Sequence, residues 1–254
     1  MPLPDPGGRP HRREHLQQGA VILAGVLAVV TVGWVIHERA TRDDEPAPAP
    51  PTVAAAPAEQ VPIPVPSMSA TPSMAPVNQI VVEQVPPGKK VDLAAEGEID
   101  WVHWGEQGRY SLERDSDGGF AILEGTPGEP RVRHTASPQR FTWPGAPSGG
   151  VTSGITTCGA GHGFTLSAPA GTGSHTLRLY VGAMRARGDL RLELSTGGEA
   201  YTDTFTSRGA SMGTTAYVVS YRATGTGKIS IKWITGATFD ENCGGVALQA
   251  ATLS

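Results

Sequence analysis

Alternating apolar and polar positions dominate the C-terminal half of the chain, and a period of two predicts strands. In His175–Ala183 (HTLRLYVGA), Leu177, Leu179 and Val181 share one face, with Arg178 and Tyr180 opposite. Asp189–Thr196 (DLRLELST) puts Leu190, Leu192 and Leu194 on one side and Arg191 and Glu193 on the other. Thr215–Ala223 aligns Tyr217, Val219 and Tyr221; Lys228–Thr235 aligns Ile229, Ile231 and Trp233 against Lys228 and Lys232. Glycine-rich segments (MRARG, STGGE, SRGASMG, ATGTG) separate these runs, and Gly245–Leu253 (GVALQAATL) reads as a last strand. Short strands at regular spacing with glycine turns predict an antiparallel sandwich or barrel.

The preceding stretch alternates less clearly. VDLAAEGEIDWVHWG predicts a strand, a turn at Glu96–Gly97 and a second strand. Short strands are expected near Ala121–Leu123, Arg131–His134 and Phe141–Trp143, followed by GFTLSAP. The domain, taken as residues 89–254, is expected to hold about ten strands in two sheets.

One segment breaks this pattern. Gly19–Ile36 (GAVILAGVLAVVTVGWVI) carries no charge over 18 residues. At 1.5 Å per residue it spans roughly 27 Å, close to the hydrocarbon thickness of a bilayer. Trp34 suits an interfacial anchor. The run is followed by His37, Glu38, Arg39 and Ala40, without an adjacent small-x-small cleavage site. It therefore reads as an uncleaved signal-anchor transmembrane helix over 19–36, with a cleaved signal peptide as the competing reading. Arg9, Arg12 and Arg13 precede it and Arg39 and Arg42 follow it, which places residues 1–18 in the cytoplasm as a short tail.

Composition adds a third zone. Residues 43–88 are rich in Pro, Ala and Val and hold five acids and no Lys or Arg. Proline lacks an N–H and stops both helix and sheet, so this stretch is expected to be a disordered, extended stalk. The whole chain has 33 Gly, 22 Pro and a net charge of -4, which argues against a helical bundle and leaves no basic field to attract nucleic acid.

The candidate chemistry is sparse. No G-x-S-x-G nucleophile elbow, H-E-x-x-H or C-x-x-C spacing occurs. The segment Asp100–Gly105 (DWVHWG) is the most distinctive, because aromatic faces stack on sugar rings and nearby polar groups bind hydroxyls. Strand alternation sends Trp101 and His103 one way and Val102 and Trp104 the other. His103 and Trp104 are the ligand-binding candidates here, with core packing at a sheet junction as the alternative. Arg185 and Arg187 flank a turn and offer donors to carboxylates or acidic sugars, or else form a solvated hairpin. Asp115 and Asp117, two residues apart, could chelate a hard cation such as structural calcium; an Asp-Gly turn explains them more simply. No other cofactor is expected.

The only cysteines, Cys158 and Cys243, both lie in the domain placed outside the membrane, in Gly-flanked loops that each precede a strand. A disulfide between them is expected.

The succession VDLAAEGEIDWVHWG, FTW, GFTLSAPAGTGSHTLRLYVGAMRARGDLRLELSTG, YTDTF, YVVSYRA, ISIKWIT and GGVALQAATL resembles a bacterial jelly-roll domain of the galactose-binding-like, carbohydrate-binding-module type. The similarity covers nearly all of residues 89–254 and neither the apolar run nor the stalk. It implies an all-β fold, an antiparallel jelly-roll β-sandwich, and a non-catalytic role in binding carbohydrates or other cell-surface ligands. Domains of this type often carry structural calcium. The expected protein is a single-pass component of a bacterial cytoplasmic membrane, its C-terminal domain extracytoplasmic, with a glycan or another envelope component as partner. A domain docking another envelope protein, a structural ectodomain and a hydrolase with a dispersed site are the rival expectations.

Overall fold

A computed structural model describes residues 75–125 and 129–254. The expected cytoplasmic tail, the 19–36 span and the stalk up to residue 74 lie outside the described residues.

About half of the described residues lie in strands, and the regular structure is otherwise a single helical turn. The elements are β1 (Gln79–Val85), β2 (Val91–Asp92), a single helical turn α1 (Leu93–Glu96), β3 (Asp100–Trp104), β4 (Leu112–Arg114), β5 (Leu123–Glu124), β6 (Arg131–His134) and β7 (Phe141–Thr142). They continue as β8 (Gly154–Thr157), β9 (Gly163–Ala170), β10 (His175–Met184), β11 (Ala186–Leu194), β12 (Tyr201–Ser207), β13 (Gly213–Arg222), β14 (Gly227–Thr238) and β15 (Gly245–Leu253). One sheet runs β1-β13-β10-β15-β3-β4, with β8 also on β15 and β6 on β8; a second runs β12-β11-β14-β9-β5. Every pairing in these two sheets is antiparallel, and only the small β2-β7 pair is parallel.

The alternation explains the layers. Leu177, Leu179, Val181, Tyr217, Val219, Tyr221, Val246, Leu248, Ala251 and Leu253 from the first sheet meet Leu190, Leu192, Leu194, Ile229, Ile231, Trp233, Phe164 and Leu166 from the second in one buried core. The Trp233 indole crosses the sandwich and donates to the Ala247 carbonyl at 3.1 Å. Gly188 lies under that ring: a Cβ there would come within 2.2 Å of it, so the close approach demands glycine. Tyr221 makes a second bridge, its hydroxyl donating to the Pro169 carbonyl at 2.8 Å.

A further apolar layer covers the outer face of the first sheet. Tyr180, Ala216, Ala250 and Trp101 point outward from the strands and are sealed by Val91, Leu93, Phe141 and Val151. Three expectations change here. The predicted turn after the first strand contains a helical turn, with Asp92 capping it by accepting from the Ala95 N–H at 3.3 Å. The expected count of strands is too low, because residues 100–157 fold into several pairs and bridges of two to five residues. The stalk boundary at residue 88 is also corrected. Gln79–Val85 is an edge strand paired along its whole length with Ala216–Arg222. That heptad contains no proline, and Ile80 and Val82 pack against the core, while Pro86 and Pro87 end the strand.

The expected disulfide is present. Cys158 and Cys243 are bonded, with Cα atoms 4.9 Å apart. The bridge ties the loop before β9 to the loop before β15, and the Gly159 N–H adds a hydrogen bond to the Gly244 carbonyl at 2.9 Å.

Candidate functional site

The most distinctive sequence segment, β3, divides between two layers. Trp104 points into the sandwich core, is 1% exposed and donates from its indole to Glu124 Oε2 at 2.9 Å on the opposite sheet. Glu124 in turn pairs with the buried Arg131. Trp104 therefore shows no ring face to a ligand, which corrects its reading as a stacking residue. His103 points to the outer layer but is also sealed, at 0% exposure. Its Nε2–H donates to the Ser153 carbonyl at 3.2 Å, and its ring packs 4.9 Å from Trp143 and 5.4 Å from Phe141. Burial lowers its pKa to about 4, since a charged imidazole would lose its hydration there; the bond to Ser153 opposes this only partly. His103 is thus a neutral support for Trp143 rather than a ligand contact.

Trp143 opens the site. It lies just beyond β7, where Pro144 ends the strand, and is only half-buried. Its ring lies 5.6 Å from that of Trp101, tilted by 31°. Trp101 is nearly covered, so Trp143 is the ring with the accessible surface. The two indoles form one wall of a cleft of about 490 Å³, with Ala94 and Pro144 beside them. The other wall is the end of β4 and the following turn: Glu113, Arg114, Asp115, Ser116 and Asp117. The aromatic segment and the acidic loop, which the sequence suggested separately, thus line the same cleft.

The polar wall is held by a buried anchor. Arg114 is ion-paired at 3.0 Å with Asp100, whose carboxylate is fully buried, and also donates to the Ile122 carbonyl at 2.6 Å. Asp100 accepts a second bond from the Ile122 N–H at 2.8 Å. The Asp115 N–H donates to the Trp101 carbonyl at 3.1 Å, and Asp115 Oδ1 accepts from the Asp117 N–H at 3.0 Å, closing an Asx turn. The arrangement gives preset acceptors and a fixed guanidinium opposite an aromatic platform.

Asp115 and Asp117 bring two carboxylates to the cleft. A calcium ion takes six to eight oxygens in most proteins. Among the described residues no group of three or more His, Cys, Asp or Glu side chains converges, and Asp115 already spends an oxygen on its own turn.

Arg185 and Arg187 lie elsewhere, at the β10–β11 turn, and do not line the cleft. Arg185 pairs with Asp240, and Arg187 grips Asp189 through Nε at 2.7 Å and its terminal nitrogen at 3.1 Å. Each is thus paired with one nearby carboxylate while its side chain remains 43% exposed. Trp101, Trp143, Glu113 and Arg114 were missed as site residues. The available signal was the Trp-Pro step at 143–144, which ends a strand and leaves a large ring at its exposed end.

No protein-family model matches the chain, and neither does any curated protein. Similar solved structures include carbohydrate-binding modules. One is the module from Cellvibrio mixtus lichenase 5A in complex with cellotriose, at 17% identity over 53% of this chain and 95% of that chain, with a TM-score of 0.30. Another is TmCBM61 in complex with β-1,4-galactotriose, at 10% identity over 53% of this chain and 88% of that one, with a TM-score of 0.28. The enzymatically active domain of bacteriophage CBA120 tailspike protein 4 matches at 10% identity over 53% of this chain and 20% of its own, with a TM-score of 0.33.

Proposed function

We propose that this chain is a membrane-anchored, extracytoplasmic, non-catalytic glycan-binding protein of the jelly-roll type, and that the Trp101–Trp143 cleft is its binding site. The half-buried Trp143 ring facing a row of carboxylates and the anchored Arg114 carries this reading. Sugar rings offer one apolar C–H face and a rim of hydroxyls, and this cleft offers an aromatic plane and a polar wall to match. The carboxylates suit hydroxyl donors, while Arg114 is already neutralised by Asp100. Neutral glycans therefore fit better than anionic ones. Arg114 is tied into an ion pair and Asp115 into a turn, which suits recognition at rest more than proton transfer. The 18-residue uncharged run at 19–36 supports the anchor. The Cys158–Cys243 bridge supports an oxidising compartment for the domain.

The test is a binding screen of the full-length protein against neutral and anionic envelope-type oligosaccharides, beside Trp143→Ala. The expected result is binding to neutral members, weakened about tenfold or more in the variant, since an aromatic stack carries on the order of 1 kcal/mol or more. Unchanged binding by Trp143→Ala would move the site elsewhere, and no binding to any member would overturn the function.

A further inference from the structure

The turn after β4 is secured from below. A Cβ on Gly118 would come within 2.5 Å of Asp100 Oδ1, so the turn lies directly on the buried carboxylate. Two residues later the chain does the opposite. Phe120 is turned outward, 57% exposed, with φ at +56°. An aromatic residue in the left-handed region gains nothing in backbone energy, and an exposed phenyl gains nothing from burial. Both local preferences are overridden at one side chain. Its surroundings connect it to the cleft. The Arg114 guanidinium carbon sits 4.4 Å from the Phe120 ring centroid, and Arg114 also lines the Trp101–Trp143 cleft. Arg114 cannot swing away, because Asp100 and the Ile122 carbonyl hold it.

We propose that Phe120 is a second aromatic subsite, continuous with the cleft across Arg114, so that the site takes an extended oligosaccharide rather than a terminal mono- or disaccharide. This rests on the cleft being the glycan site. A ring stacked by a guanidinium on one side keeps its edge and remaining face for a ligand, and the left-handed backbone presents it there. On this proposal a chain stacked on Trp143 extends past Arg114, the residue shared by the cleft and the Phe120 ring. The competing role for Phe120 is a cover for the Arg114–Asp100 pair.

The experiment measures affinity against chain length, using neutral β-linked gluco-, galacto- and xylo-oligosaccharides of two to eight units. Full-length wild type, Trp143→Ala, Phe120→Ala and Phe120→Gly are compared, with melting temperatures. Wild-type affinity is expected to rise with length. Both Phe120 variants should lose about tenfold for the longer members and less than about twofold for the shortest. Phe120→Gly should also melt at or above the wild-type temperature, since glycine relieves the positive φ; a mere cover would not behave so. Equal affinity of the Phe120 variants and wild type at every length, with Trp143→Ala impaired, would overturn the subsite and leave the cleft standing. An equal loss at all lengths with lower melting temperatures would assign Phe120 to packing and overturn it too. Trp143→Ala without effect, or a wild type that binds no member, would overturn the cleft reading and the subsite together.

Discussion

His103 shows how a polar residue in a distinctive motif can serve an aromatic site without touching a ligand. Its imidazole is sealed beneath Trp143, and burial lowers its pKa from 6.5 to about 4. Between those values the folded protein keeps the ring neutral while the unfolded chain protonates it. The unfolded state then binds more protons, so the contribution is fully present above about pH 6.5 and is lost as pH falls toward 4. A shift of this size corresponds to at most about 3 kcal/mol. His134 is displaced in the same direction by its own burial, so the comparison needs a variant. Urea midpoints at pH 7 and pH 4.5 should separate strongly for wild type and less for His103→Gln, whose amide can still donate to Ser153. Equal pH dependence in the two proteins would contradict the assignment.

At the scale of elements, β1 is the test of where the folded domain starts. Asn78, one residue before it, is clamped by three hydrogen bonds: its amide donates to the Thr196 carbonyl at 3.1 Å, and its carbonyl oxygen accepts from the Thr196 hydroxyl at 2.7 Å and the Thr224 N–H at 2.8 Å. Limited proteolysis should leave a resistant core beginning at or before Asn78. A core beginning after Gly88 would show that β1 is not part of the domain. The proline-rich surroundings hid this strand, because Ile80, Val82 and Val85 are only partly buried and find their apolar neighbours only once β13 is beside them. The strands β11 and β14 were legible for the opposite reason: polar residues on their outer faces meet water, so alternation reports burial directly, and in β10 and β13 the inner-face alternation stays clear although Tyr180 and Ala216 on the outer face are covered. In β3 that rule lost its meaning. Asp100, Trp101, Val102, His103 and Trp104 are all buried, because layers lie on both sides, so alternation separated the two Trp side chains correctly without showing that both are covered. Trp143 follows a strand of two residues, which is too short to have a period.

At the scale of the whole molecule, the closing strand β15 holds the fold together. It pairs with β10 on one edge and with β8 and then β3 on the other, and the disulfide fastens the loop that leads into it. The bridged cysteines are 85 residues apart in sequence, and the chain-entropy account of such a loop gives roughly 4–5 kcal/mol as an upper value. Reduction under native conditions should therefore lower the melting temperature by several degrees or more. An unchanged melting temperature after complete reduction would show that the strand pairings alone carry this end of the sandwich. The cleft lies on the layer that covers the outside of the first sheet, built from the β3, β4 and β7 ends, so its geometry depends on that layer staying closed over His103. Hydroxyl-radical footprinting of the full-length protein, with and without purified envelope polysaccharide, tests the site most directly, because it reads every exposed aromatic side chain in one experiment. Polysaccharide should protect Trp143 from oxidation while the exposed Tyr110 and Phe239 react as before. Protection centred on Tyr110 or Phe239 with Trp143 unchanged, or no protection anywhere, would contradict the Trp143 site.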